Sequence, residues 1–196
     1  MPDPVFPYTK PAETARIVFV EFTEADAKKV LNQSNTATTG GGARDLRFPY
    51  KPLESVLARL FPTVKQEPRR GTTGMELKPI RYGTLNYQTA SGWAQVDLRV
   101  EPPTPSRKSE GRIPTLHSIP PFQHFISQLP AEWKDTYLVV FIQREDGQVD
   151  LYFASDAEIR GWHADVATPL LTAVANRKGQ KRVVGYIDYE RREARL

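Results

Sequence analysis

The sequence predicts a mainly β fold with a few short helices, an antiparallel barrel or sandwich. Three observations predict it. About six segments have the β-branched and aromatic content of strands at strand length. They are not separated by the long helices that a βαβ chain inserts between parallel strands. Proline supplies 17 of the 196 residues, well above the usual ~5%, which divides the chain into short elements and shaped loops.

Residues 1–14 contain four prolines and no hydrophobic period, and read as an extended arm. Residues 15–22, Ala-Arg-Ile-Val-Phe-Val-Glu-Phe, predict a strand. Thr23 with Glu24 and Asp26 caps a short helix expected to run to Leu31. A polar loop, 32–43, ends in Thr39-Gly40-Gly41-Gly42-Ala43, whose glycines let the backbone approach a partner closely. Residues 44–48 alternate charged and apolar side chains up to Pro49. Pro52 suits the first turn of a helix carrying Leu53, Val56, Leu57 and Leu60, and Pro62 ends it. Residues 63–74 read as a basic loop, 75–87 and 93–100 as strands, and 102–121 as a proline-rich loop with a basic middle. Residues 137–143 and 149–153 flank Glu145-Asp146-Gly147 as a hairpin. Ser155 and Glu158 have the spacing of a capping box for a following helix. Residues 182–189 predict a last strand. One domain over 15–190 is expected, with 191–196 a charged tail or the start of a linker.

Hydrophobic residues at 39% and charged residues at 26% are those of a globular chain rather than a disordered one. No glycine period is present, which excludes collagen. No apolar run approaches the ~18 residues of a membrane helix. The first residues have neither a basic leader nor an apolar stretch, so a cytoplasmic protein is expected. The absence of cysteine excludes disulfides, thiolate catalysis and cysteine metal sites. The net charge of +4 and the pI near 9.3 favour a polyanionic partner.

Catalytic motifs are absent. Gly40-Gly41-Gly42-Ala43-Arg44-Asp45 lacks the last glycine of a dinucleotide fingerprint, and Gly71-Thr72-Thr73-Gly74 lacks the lysine of a P-loop. His117 and His124 are separated by Pro120 and Pro121, and with His163 form no zinc motif. Glu132 and Lys134 have Glu-x-Lys spacing, with Asp97 as a conceivable second carboxylate, so a small metal-dependent nuclease is one alternative. No cofactor is expected. Trp93, Phe141 and Tyr152 fall on strands and are expected in the core.

The arginines carry the functional signal. Arg44 and Arg47 follow the triple glycine, and Arg107, Lys108, Glu110 and Arg112 lie together in the proline-rich loop. Arginine pairs with guanine bidentately in the major groove and a carboxylate accepts from cytosine, so such a loop suits base reading. Phosphates carry no sequence information, and cations such as Lys51, Arg69, Arg70, Lys78 and Arg81 suit them. A solvated basic surface on a protein-interaction domain is the other alternative.

The ordered motifs resemble the amino-terminal effector domain of EcoRII-type restriction endonucleases. They are Thr39-Gly40-Gly41, Leu46-Arg47-Phe48-Pro49, Leu60-Phe61-Pro62, the stretch 107–113, and the hairpin running into Ala154-Ser155-Asp156. The resemblance covers roughly residues 15–165. It implies an open antiparallel DNA-binding pseudobarrel, a fold shared with plant transcription factors, that grips the major groove with two arms. Those arms would be residues 39–48 and 104–113. Arg44, Arg47, Arg107, Lys108, Glu110 and Arg112 would read bases. Thr39, Gly41, Gly42, Lys51, Arg69, Arg70, Lys78, Arg81 and Ser106 would hold the backbone. The implied partners are double-stranded DNA and a nuclease domain or subunit outside this chain, in host defence, with no catalysis here. Gly42, Arg47 and Gly111 stand where that family has histidine, tyrosine and lysine, which implies a shared mode of binding with a different target.

Overall fold

Ala15 to Phe22 is apolar everywhere except Arg16 and Glu21, and the fold shows why: the strand they form is buried on both faces along its whole length. The computed structural model describes residues 6–30, 45–68, 77–104, 108–114, 116–127, 130, 132–177 and 179–196. In chain order its elements are β1 (Thr14–Phe22), α1 (Glu24–Val30), β2 (Leu46–Pro49), a 3-10 turn (Lys51–Leu53) leading into α2 (Glu54–Leu60), β3 (Thr63–Pro68), β4 (Leu77–Thr89), β5 (Gly92–Val100) and β6 (Glu110–Ile113). There follow a second 3-10 turn (Leu116–Ser118), α3 (Pro120–Ser127), β7 (Tyr137–Arg144), β8 (Val149–Ser155), α4 (Asp156–Ile159), α5 (Ala164–Ala175), β9 (Val184–Asp188) and β10 (Glu193–Arg195).

The fold is mainly β and open. Eight strands form one sheet in the order β10-β9-β1-β7-β8-β4-β3, with β5 attached to β4; β2 and β6 form a separate two-stranded sheet. Pairing is antiparallel except where β4 meets β8 in parallel, Asn86 opposite Asp150 and Tyr87 opposite Leu151. Alternation sends the central strands' side chains into two cores. Ile17 and Phe19 of β1 join Leu138 and Val140 of β7 beneath Ile159, Leu170 and Ala173 of the helices α4 and α5. Val18, Val20, Val139 and Phe141 face the other way, into a larger core with Leu46, Phe48, Leu57, Phe61 and Phe122. The two charges of β1 are satisfied rather than exposed. Arg16 donates to Asp188 at 3.1 Å and to Gln143 at 2.7 Å. Glu21 accepts from the Val183 amide at 2.7 Å and pairs with Arg177 at 2.9 Å.

Several sequence expectations meet the structure directly. Thr23 and Asp26 cap α1 reciprocally, the Thr23 amide donating to Asp26 at 2.9 Å. Ser155 and Glu158 form the capping box of α4. Gly147, at φ +88°, turns the β7–β8 hairpin.

Others are corrected. Residues 63–68 are strand rather than loop: β3 is an edge strand exposed on both faces, so no period-two hydrophobic pattern marks it. The stretch 102–121 contains β6 and the start of α3. Pro120 and Pro121 do not break that helix but open it, where a missing N–H costs nothing. The charged tail pairs with β9 as β10. Trp93 is 52% exposed instead of core, edge-on to Tyr152 and under the Arg144 guanidinium; Phe141 is buried as expected. Within the extended arm, Phe6 packs edge-on against Tyr8 and Tyr189.

Candidate nucleic-acid interface

The two basic segments converge through a short piece of sheet. Leu46 and Phe48 alternate into the core, each 2% exposed, and leave Arg47 on the opposite face of β2. On β6, Ile113 is buried likewise. The strands pair Leu46 with Ile113, Arg47 with Arg112, Phe48 with Gly111 and Pro49 with Glu110. Gly111 is demanded by packing: a Cβ there would lie 2.5 Å from the Tyr50 ring. The Tyr50 amide extends the pairing by donating to the Ser109 carbonyl at 3.0 Å. Behind β6, Arg112 and Glu101 exchange both backbone hydrogen bonds, at 2.9 and 3.0 Å, which ties the pair to the end of β5.

An ion network runs through this junction. Glu101, 3% exposed at its side chain, accepts from Lys78 at 2.6 Å and from two nitrogens of Arg112 at 2.9 and 2.5 Å. Its other oxygen faces Arg99 at 3.2 Å. Arg112 donates its third bond to Asp45 at 3.0 Å, at the root of the first segment. Burial pushes the Glu101 carboxyl up, but the hydrogen bonds from Lys78 and Arg112, and then their charges, outweigh it and hold the group below its usual range. Burial works against the Arg112 charge, and the Glu101 hydrogen bonds and the charges of Glu101 and Asp45 raise its pKa regardless. The guanidinium has five N–H donors, so two remain after these three bonds, and the side chain is 37% exposed.

Among the expected base readers, Arg47 makes long ion contacts with the described residues, 3.9 Å to Asp45 and 3.7 Å to Glu110. Lys108 stands exposed in the turn before β6 with no ion pair among the described residues, and Glu110 opens that strand. Of the backbone set, Lys51 is exposed on its 3-10 turn and Arg81 is half-buried on β4. Lys78 is drawn inward by Glu101. Arg44, Arg107, Thr39, Gly41, Gly42, Arg69, Arg70 and Ser106 lie outside the described residues. Sequence reasoning missed Asp45, Arg99 and Glu101, the acids and the cation that organise the roots.

Elsewhere, Glu132 and Lys134 pair at 2.6 Å on an exposed loop. Asp97 accepts from the Thr84 hydroxyl at 2.6 Å. Among the described residues no three histidine or carboxylate side chains converge as metal ligands. His163 caps α5, accepting from the Asp165 amide at 3.4 Å. No described helix is long and apolar enough to cross a membrane. The chain matches no protein family, no curated protein and no solved structure.

Proposed function

We propose that this chain recognises a short double-stranded DNA sequence through two loops that enter the major groove. It acts as the target-recognition part of a restriction endonuclease or related defence protein and has no catalysis of its own. The observation that carries this reading is the β2–β6 pairing. It brings Arg47, Glu110 and Arg112, from two distant basic segments, onto one short sheet, with Lys108 in the turn that leads into it. Guanidinium groups and a carboxylate at one place match the donors and acceptors that base edges present in the major groove. The ordered resemblance to the EcoRII-type effector domain supports the same reading and supplies its context, a cytoplasmic defence protein whose nuclease is a further domain or a separate subunit.

Selection of bound duplexes from a randomised DNA pool, at about 0.1 M salt to suppress phosphate-only binding, tests it. Enrichment of one motif a few base pairs long is the expected outcome. Weak, uniform binding that vanishes as salt rises would reduce these segments to ordinary basic loops. Cleavage in the presence of a divalent metal, lost in Glu132→Ala, would favour a complete nuclease instead.

A further inference from the structure

Beside the β2–β6 junction lies a cleft of about 620 Å³. Three separate parts of the chain form it: α1, the junction itself, and the β9–β10 hairpin with the residues just before it. Its charges are one-sided. Lys29, Arg47, Lys181, Arg182 and Arg195 line it, and Glu110 is the one acidic side chain among the described lining residues. One of the cations, Arg182, is a fixed part of the wall. Arg182 donates to the Glu21 carbonyl at 2.8 Å and to Asp26 at 3.0 Å, and that same Asp26 caps α1. Arg47 sits at the root of the first segment. Lys29, Lys181 and Arg195 are exposed and have no ion-pair partner among the described residues. Arg195 pairs with Tyr186 of β9, and the neighbouring Gly185 lets its backbone come close: a Cβ there would lie 2.2 Å from the Arg195 carbonyl.

The lining also says what the cleft does not suit. Its one aromatic ring, Phe48, is 2% exposed and offers no face to a nucleobase. The remaining described wall is apolar apart from the hydroxyls of Thr23 and Ser109 and the Gln180 carboxamide. Cations reaching from three segments over an apolar floor suit a chain of phosphates, which needs charge and no base readout.

We infer that this cleft holds a stretch of the phosphodiester backbone of duplex DNA, flanking the bases that the two loops read. The inference rests on the DNA-recognition reading above, and it adds three phosphate contacts, Lys29, Lys181 and Arg195, that neither loop contains. Lys29, Lys181 and Arg195 contact phosphates; Arg182 positions the wall.

The test is DNA binding by the full chain, measured over a range of salt, for the wild type and the triple variant Lys29→Ala, Lys181→Ala, Arg195→Ala. The expected result is a loss of roughly tenfold or more on preferred and unrelated duplexes alike. The slope of log affinity against log salt should flatten by about 0.9 for each phosphate released. An unchanged affinity and slope in the triple variant, while Lys108→Ala still weakens binding, would overturn the cleft and leave the recognition reading standing. No binding by the wild type at low salt would overturn both. A second measurement does not depend on the variant folding: amine acylation of the wild type with and without DNA. DNA should protect Lys29 and Lys181 and leave the exposed Lys134 reactive, whereas equal labelling of all three in both states would overturn the cleft.

Discussion

Arg112 is where the two basic segments are mechanically joined, because one guanidinium bonds Asp45 before β2 and Glu101 after β5. Arg112→Ala is expected to lower folding stability by about 1–2 kcal/mol, the modest value reflecting a side chain more than a third exposed. Arg112→Lys keeps the charge but loses the planar fork, and should recover little. If the two spare N–H donors also read guanine, the alanine variant loses a further ~1–3 kcal/mol on the preferred duplex alone. Urea unfolding beside binding to matched and mismatched duplexes separates the two effects. An unchanged urea midpoint would sink the joining role. Tyr189 offers a cleaner case. Its buried hydroxyl has no hydrogen-bond partner among the described residues, and burial, then the charges of Asp165 and Tyr8, push its pKa up to about 12. Tyr189→Phe should therefore leave stability unchanged or raise it by up to about 1 kcal/mol. A lower melting temperature would mean the hydroxyl has a partner after all.

At the scale of elements, β6 depends on a residue that makes no side-chain contact. Gly111→Ala forces a methyl group against the Tyr50 ring and should cost about 1–3 kcal/mol. DNA affinity should fall with it as the strand roots separate. Tyr50→Leu in the same chain should recover part of the loss, and a fully stable Gly111→Ala protein would refute the close packing. The same packing explains why lysine, expected here from the EcoRII-type pattern, has no room. The elements that the sequence made legible are those whose signal is local. β1 shows in its composition, the β7–β8 hairpin in its turn, and α4 in its capping box. Edge strands were hidden for a physical reason. β3 and β10 are exposed on both faces and mostly polar, with Val64 and Ala194 left in solvent, so no apolar alternation appears. The α3 prolines looked like breakers because composition does not say at which end of a helix a proline sits. Of the site, the cations were legible as residue types. Their pairing was not, because Asp45 and Arg112 are 67 positions apart in the chain and meet only through the fold.

For the molecule as a whole, Glu101 couples stability to acid. Its carboxyl titrates below the ordinary 4.5 in the folded state, so its contribution is complete above that value and is lost as pH falls through the folded pKa. Between those limits the cost approaches ~1.4 kcal/mol per pH unit. The urea midpoint of the wild type should fall on acidification, and fall less in Glu101→Gln, which starts lower at neutral pH. A parallel fall in both proteins would assign acid sensitivity to other carboxylates. The other molecule-wide consequence belongs to β1 and concerns synthesis rather than the finished fold. Arg16 finds Gln143 127 positions downstream and Asp188 172 positions downstream. At ~5–20 residues per second the ribosome needs roughly 10–30 s to deliver β9. Until β7 is synthesised both edges of this nine-residue, β-prone segment are uncovered, and the edge that β9 will pair stays open for the whole interval, the profile of an aggregation nucleus. Arg16 and Glu21 are its only charges. Before they become buried ion partners, they are placed as gatekeeper charges, and neutralising both should raise aggregation during synthesis, read as the insoluble fraction on expression.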